Sequence, residues 1–118
     1  MIITGVVIHG AQLGRKMGFP TANIDARNIE EIDNGVDFST VDIDGTTYKA
    51  MSNVGCRPSV DGTTRLLETH IFGFEGDLYG QTITVNLIRK IRDERRFSSI
   101  DALQQQLQAD AAVCRSEE

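Results

Sequence analysis

The sequence predicts an all-β domain with one helix: an antiparallel barrel, closed or nearly closed, with a single α-helix at its C-terminal end. Three observations lead there. Short runs of alternating apolar and polar residues recur along most of the chain, glycine-containing turn pairs separate them, and a helical period appears only after Ser98. A set of short strands with one helix leaves sheet edges exposed unless the sheet closes on itself, so a barrel is expected. At 118 residues the chain is long enough for one hydrophobic core and short for two, and residues 1–118 are read as one domain.

The first strand is expected in "GVVIHG", closed by glycine at both ends, and leads into a loop. Pro20 excludes a helix interior, and "TANID" resumes as an extended segment. "VDFSTVDID" alternates Val36, Phe38 and Thr40 with polar neighbours, and Asp44–Gly45 is a strong hairpin signal before "TTYKAMSNV". "MSNVGCRPSV" reads as a Gly/Pro-containing loop. A second hairpin is expected where Asp61–Gly62 turns into "TTRLLETHIF", and "QTITVNLIRKI" has a clear period of two. In "SSIDALQQQLQADAAV", Ile100, Leu103, Leu107 and Ala111 form one helical stripe, with Ser98 and Asp101 spaced as a capping box.

The apolar fraction of 40% and charged fraction of 25% are ordinary globular values, which excludes disorder, collagen-like repeats and coiled coil. No apolar run is long enough to cross a bilayer and the N-terminus lacks signal-peptide character, so the expected compartment is the cytoplasm, with no membrane partner. Cys56 and Cys114 are too few for a disulfide framework and read as free thiols. A net charge of −5 argues against a nucleic-acid partner. The charge is uneven: seven acids lie between Asp25 and Asp44 beside Arg27, whereas "RKIRDERRF" holds five cations and two acids. Both runs are read as solvated surface.

Chemistry concentrates in "LGRKMGFPTANID". Gly14 and Gly18 relieve steric limits on the backbone, so successive amides can converge on an anion, and Arg15 and Lys16 add positive charge. The segment is not the common phosphate loop, since no G-x-x-x-x-G-K-[ST] is present and Pro20 leads into a strand. Beyond it, Thr21 offers a hydroxyl and Asn23 an amide oxygen two residues on. In an extended chain these point to the same side and can meet one hard cation such as Mg²⁺. The same residue types are also turn vocabulary, so a plain loop stays open. In "RLLETHIFGF", Glu68 shares a strand face with Leu66, His70 and Phe72; an apolar setting suits a general base at Glu68 or at His70, and a surface role for either stays open. Asn53 and Arg57 are further candidate binding groups.

With these residues in view, the chain resembles the riboflavin kinase family. The family's G-x-P-T-A-N core is matched by Gly18, Phe19, Pro20, Thr21, Ala22 and Asn23. "HG" at His9–Gly10, "GV" at Gly35–Val36, "NVGCRPS" from Asn53, "LETHI" from Leu67, "DLYG" from Asp77, "IRDERRFSSIDAL" from Ile91 and Asp110 follow in order, so the resemblance covers nearly the whole chain.

The resemblance implies a six-stranded antiparallel Greek-key barrel with a C-terminal α-helix, acting as an ATP:riboflavin 5′-phosphotransferase that makes FMN. It implies that Thr21 and Asn23 bind a divalent metal, Mg²⁺ or another, together with the nucleotide. Gly14, Arg15, Lys16, Gly18 and Pro20 would belong to the loop around the ATP phosphates. Glu68 would be the catalytic base, and Arg92 and Phe97 would contact the flavin. The expected partners are riboflavin or FMN and ATP or ADP, and the expected assembly is a monomer. Two departures stand out: Asp37 follows "GV" where the family usually has an aromatic residue, and Ser59 replaces the more frequent Thr. The nucleotidyltransferase domain that precedes this module in many bacterial enzymes is missing, so FMN but not FAD is the expected product. A non-catalytic flavin- or nucleotide-binding barrel is the alternative. A barrel for single-stranded nucleic acid is weaker still, given the acidic balance and seven aromatics.

Overall fold

The computed structural model describes residues 1–9, 18–59 and 62–117. The six strands are β1 (Ile2–Val6), β2 (Ala22–Asp25), β3 (Gly35–Ile43), β4 (Thr46–Ser59), β5 (Gly62–Ile71) and β6 (Thr82–Arg92), followed by helix α1 (Ile100–Arg115). They form one antiparallel sheet in the order β1-β6-β3-β4-β5-β2. Strands β3, β4 and β5 are consecutive hairpin neighbours and β6 returns beside β3, which is the Greek-key connection. The sheet nearly closes: the Ile8 amide donates to the Asn23 carbonyl at 2.8 Å, bridging the chain after β1 to β2. The expected barrel with one C-terminal helix is therefore what the chain forms.

Local chemistry explains the elements. The β3–β4 turn is carried by Asp44 and Gly45 at φ 50° and 82°, the paired left-handed conformations that match strand twist. The first strand lies earlier than "GVVIHG" suggests: pairing covers Ile2–Val6, with Ile8 as an isolated bridge. The segment 51–59 is not a loop but the second half of the 14-residue β4, paired with β5 as far as Ser59 opposite Gly62. Pro58 is tolerated there because β3 pairs with β4 only as far as Val54, so among the described residues this stretch of β4 is paired with β5 alone and is an edge on its other side.

Strand alternation produces two apolar layers. Ile83, Val85 and Leu87 of β6, Val41 of β3, Ala50 and Val54 of β4 and Leu67 and Ile71 of β5 fill the barrel. Burying a side chain such as Leu67 completely contributes about 1.5–3 kcal/mol. Ser39, Ser52 and Thr69 also point inward and satisfy one another in a hydroxyl chain with both links at 2.8 Å. On the outer face, Val36, Phe38 and Met51 meet Leu103, Leu107, Ala111 and Cys114 of α1. Both cysteines are free thiols; burial and the nearby Asp110 push Cys114 up to about 11. The helix begins one residue later than the Ser98–Asp101 spacing suggests. Ser99 is the N-cap and its Oγ accepts from the Ala102 amide at 3.1 Å, while Asp101 faces the positive end of the helix dipole.

Candidate active site

One cross-strand row organises the site. Asn23 on β2 stands opposite Glu68 on β5, Glu68 opposite Asn53 on β4, Asn53 opposite Val36 on β3, and Val36 opposite Arg92 on β6. Directly opposed residues share a face, so this row runs along the outside of the barrel, the side that α1 covers. Between the row, α1 and the segment after β6 lies a cavity of about 740 Å³, within the range of small-molecule sites. Its walls are mostly apolar, with Phe19, Met51, Phe97, Ile100, Leu103 and Leu107. Thr21, Asn53, Arg57, Glu68, Arg92 and Glu94 are among the polar groups that line it. Ile100, although more than half exposed, belongs to this wall rather than to the packed stripe.

A second cavity, of about 170 Å³, opens on the other side of Thr21. It is lined by Asn23, Pro20, Thr69, Phe74 and Tyr79, with His9 stacked on Tyr79 at 3.7 Å between ring centroids. Thr21 lines both cavities. Its Oγ1 donates to Asn23 Oδ1 at 3.0 Å, which leaves a hydroxyl oxygen and a carboxamide oxygen side by side with lone pairs to spare. Among the described residues no cluster of three or more His, Cys, Asp or Glu side chains could hold a metal ion. The Thr21–Asn23 pair nevertheless fits Mg²⁺, a hard cation that takes few protein oxygens and completes its shell with phosphate and water.

Gly18 has φ 84°, a conformation that favours glycine, just before Phe19 and Pro20. The Pro20 carbonyl accepts from His70 Nδ1 at 2.8 Å, and the ring of His70 meets Phe19 and Phe72 edge-on. Because a carbonyl only accepts, His70 carries its proton on Nδ1. Burial lowers the pKa of His70, outweighing that hydrogen bond. His70 thus ties β5 to the start of the Thr21–Asn23 segment. Gly14, Arg15 and Lys16 lie outside the described residues.

Arg92 and Phe97 both line the larger cavity. Arg92 is committed to Asp110 of α1: Nε donates to Oδ2 at 3.0 Å and Nη2 lies 2.9 Å from the same oxygen, with Asp110 only 2% exposed. Gln106 donates to the other carboxylate oxygen at 2.9 Å. The guanidinium carbons of Arg92 and Arg95 lie 5.6 Å and 4.8 Å from the Phe97 ring centroid, which fixes the aromatic wall. Asp37, the departure from the family pattern, pairs in register with Lys90, and burial raises its carboxyl pKa.

Glu68 is held by Arg57, which the sequence offers only as a candidate binding group with no stated partner. Arg57 Nε donates to Glu68 Oε1 at 2.7 Å and Arg57 Nη1 to Glu94 Oε1 at 2.9 Å. Burial alone would lower the Arg57 pKa, but the two carboxylates outweigh it and raise it. The missed signal is alternation: once β4 continues through residue 59, Met51, Asn53, Gly55 and Arg57 share one face. Asn53 Oδ1 is buried in this row without a hydrogen-bond partner among the described residues.

Comparison with known proteins gives sequence relatives and structural neighbours of the whole chain. A bifunctional riboflavin kinase/FMN adenylyltransferase of Pseudomonas fluorescens is 41% identical over 97% of the chain and 37% of its own length. An RNA-binding riboflavin kinase of Bacillus subtilis is 41% identical over 92% of the chain and 47% of its own. The chain thus spans less than half the length of either relative. Among solved structures, a riboflavin kinase of Trypanosoma brucei superposes with a TM-score of 0.66 at 26% identity, over 97% of this chain and 76% of that one. A Streptococcus pneumoniae chain described as a macrolide-efflux protein superposes with a TM-score of 0.84 at 37% identity, over 99% of this chain and 39% of that one. The family model described as flavokinase, riboflavin kinase, matches residues 1–117, and by that match and the sequence relatives the chain belongs to the riboflavin kinase family.

Proposed function

We propose that this chain transfers the γ-phosphoryl group of ATP to the ribityl 5′-hydroxyl of riboflavin, giving FMN and ADP. The observation that carries the reading is the position of Thr21 on the wall common to both cavities, with Asn23 in register with Glu68. A flavin in the larger cavity and a nucleotide reaching from the smaller one would meet beside these residues.

In this reading the apolar walls take the isoalloxazine ring, and the polar end takes the ribityl chain. Glu68 accepts the proton of the 5′-hydroxyl as the bond from that oxygen to the γ-phosphorus forms and the bond to the β–γ bridging oxygen breaks. Thr21 and Asn23 would hold the divalent metal, whose chemistry is to neutralise charge on the phosphate oxygens. Gly14, Arg15 and Lys16 would supply amides and cations around the phosphates. The protein's part is positioning and charge stabilisation, which is most of what phosphoryl transfer needs.

Four of the five cations of the basic run have partners among the described residues, and the fifth, Arg96, lines the larger cavity, which supports small-molecule ligands. Lys90 is paired with Asp93, Arg89 with Glu117 and Arg92 with Asp110, and Arg95 lies over Phe97. No helix among the described residues is long and apolar enough to cross a membrane. The proposed state is a monomer acting on small molecules in the cytoplasm. Incubation of the purified chain with riboflavin, ATP and Mg²⁺ should give FMN and ADP in equal amounts by chromatography, and a chelator should abolish both. Saturable riboflavin binding without FMN would replace the kinase by a binding module.

A further inference from the structure

We infer that Arg57 is a positioning residue for Glu68, braced from the opposite side by Glu94; the inference rests on reading Glu68 as the general base. The Arg57 guanidinium donates through Nε to Glu68 Oε1 at 2.7 Å and through Nη1 to Glu94 Oε1 at 2.9 Å, with the Cys56 carbonyl at 3.0 Å from the same nitrogen. Glu68 belongs to β5, Arg57 to β4, and Glu94 to the segment between β6 and α1. Three separate pieces of backbone are thus joined by one planar group.

A carboxylate on a strand face above an apolar cavity has several rotamers, and few of them aim an oxygen at a substrate hydroxyl. Ordering it during the reaction would be an entropic loss taken at the barrier. Arg57 removes that loss beforehand. It occupies Oε1, and Oε2 has no hydrogen-bond partner among the described residues, so one oxygen is anchored while the other is available to take the proton. A planar fork suits the task, because it can hold two carboxylates in fixed directions where an ammonium group cannot.

The brace is built into the strand. Gly55 lies on the same face of β4 as Arg57, and a Cβ there would overlap Glu94 Oε1 and the Arg57 Nη1. Glycine therefore leaves the space through which Glu94 reaches the guanidinium. Other charged or titratable groups line the same cavity: His70 on β5, Arg92 on β6, and Arg95 and Arg96 after it. Arg92 is engaged by Asp110, and His70 by the Pro20 carbonyl. Among the described residues, Arg57 is the hydrogen-bond partner of Glu68.

The test is a double-mutant cycle by single-turnover FMN formation, with Arg57→Ala, Arg57→Lys and Glu94→Ala each made alone and with Glu68→Gln. Arg57→Ala should lower the rate about ten- to a hundredfold with riboflavin and ATP affinities changed less than about threefold, and Arg57→Lys should recover part of it. Glu94→Ala should lower it by a smaller factor. Neither should lower it further once Glu68 is Gln, because both act through that carboxylate. Equal losses in the two backgrounds, or no loss from Arg57→Ala, would overturn the inference. If Arg57→Ala does not fold, Glu94→Ala with and without Glu68→Gln decides alone. Near-normal turnover by Glu68→Gln itself would remove the base assignment, a result distinct from an inactive Glu68→Gln with additive Arg57 and Glu94 effects.

Discussion

Thr21 Oγ1 and Asn23 Oδ1 lie 3.0 Å apart, side by side on the wall of the smaller cavity, and Thr21 also lines the larger one. Their two oxygens are neutral, which suits a site whose anionic ligands arrive with the phosphates. Thr21→Ala or Asn23→Ala should weaken Mg-nucleotide binding by about tenfold or more and riboflavin binding far less. Calorimetric titration of each ligand into each variant checks this, and equal weakening of both would contradict the metal assignment.

The Arg92–Asp110 pair fastens α1 to the barrel next to the larger cavity. Its energetics are asymmetric: removing one partner leaves a buried charge uncompensated. Asp110→Ala should therefore destabilise the fold by about 3–5 kcal/mol, and it should also weaken riboflavin binding by loosening Arg92 and the Phe97 wall. Urea unfolding, read as a shift of midpoint at constant slope, measures the first effect. A loss below about 1 kcal/mol would place the pair among weak surface contacts.

His70 gives the stability a pH dependence of known sign. Burial holds its folded pKa below the ordinary 6.5, so between those two values the unfolded chain binds more protons than the folded one. The His70 contribution is then fully present above about pH 6.5 and is lost as pH falls toward the folded pKa. His70→Asn, which keeps a donor near Pro20 but does not titrate there, should flatten that part of the profile. Identical pH profiles for the two proteins from pH 5 to 7.5 would contradict it.

Much of this fold is legible because a strand buried on one side must alternate. Val36, Phe38, Ile83, Val85 and Leu87 announce their strands, and Asp44–Gly45 its turn. What the sequence hides is long-range. The bridge from Ile8 to Asn23 that nearly closes the barrel depends on strand order, which no local pattern carries. Register shifts on β6 place Arg89 opposite Phe38 and Leu87 opposite Ser39, breaking the period of two by bulges. Gly55 and Pro58 make the second half of β4 look like a loop, and that reading concealed Arg57 as the partner of Glu68. Ser99 rather than Ser98 caps α1, a one-residue difference that cap spacing alone does not resolve.

Glu68 is the proposed acceptor of the proton of the riboflavin 5′-hydroxyl. Glu68→Gln keeps size and the ability to accept from Arg57 while removing the base. Single-turnover FMN formation, with riboflavin affinity followed by quenching of flavin fluorescence, should show a rate lower by about two to four orders of magnitude and affinity nearly unchanged. A Glu68→Gln protein that makes FMN at close to the normal rate would contradict it.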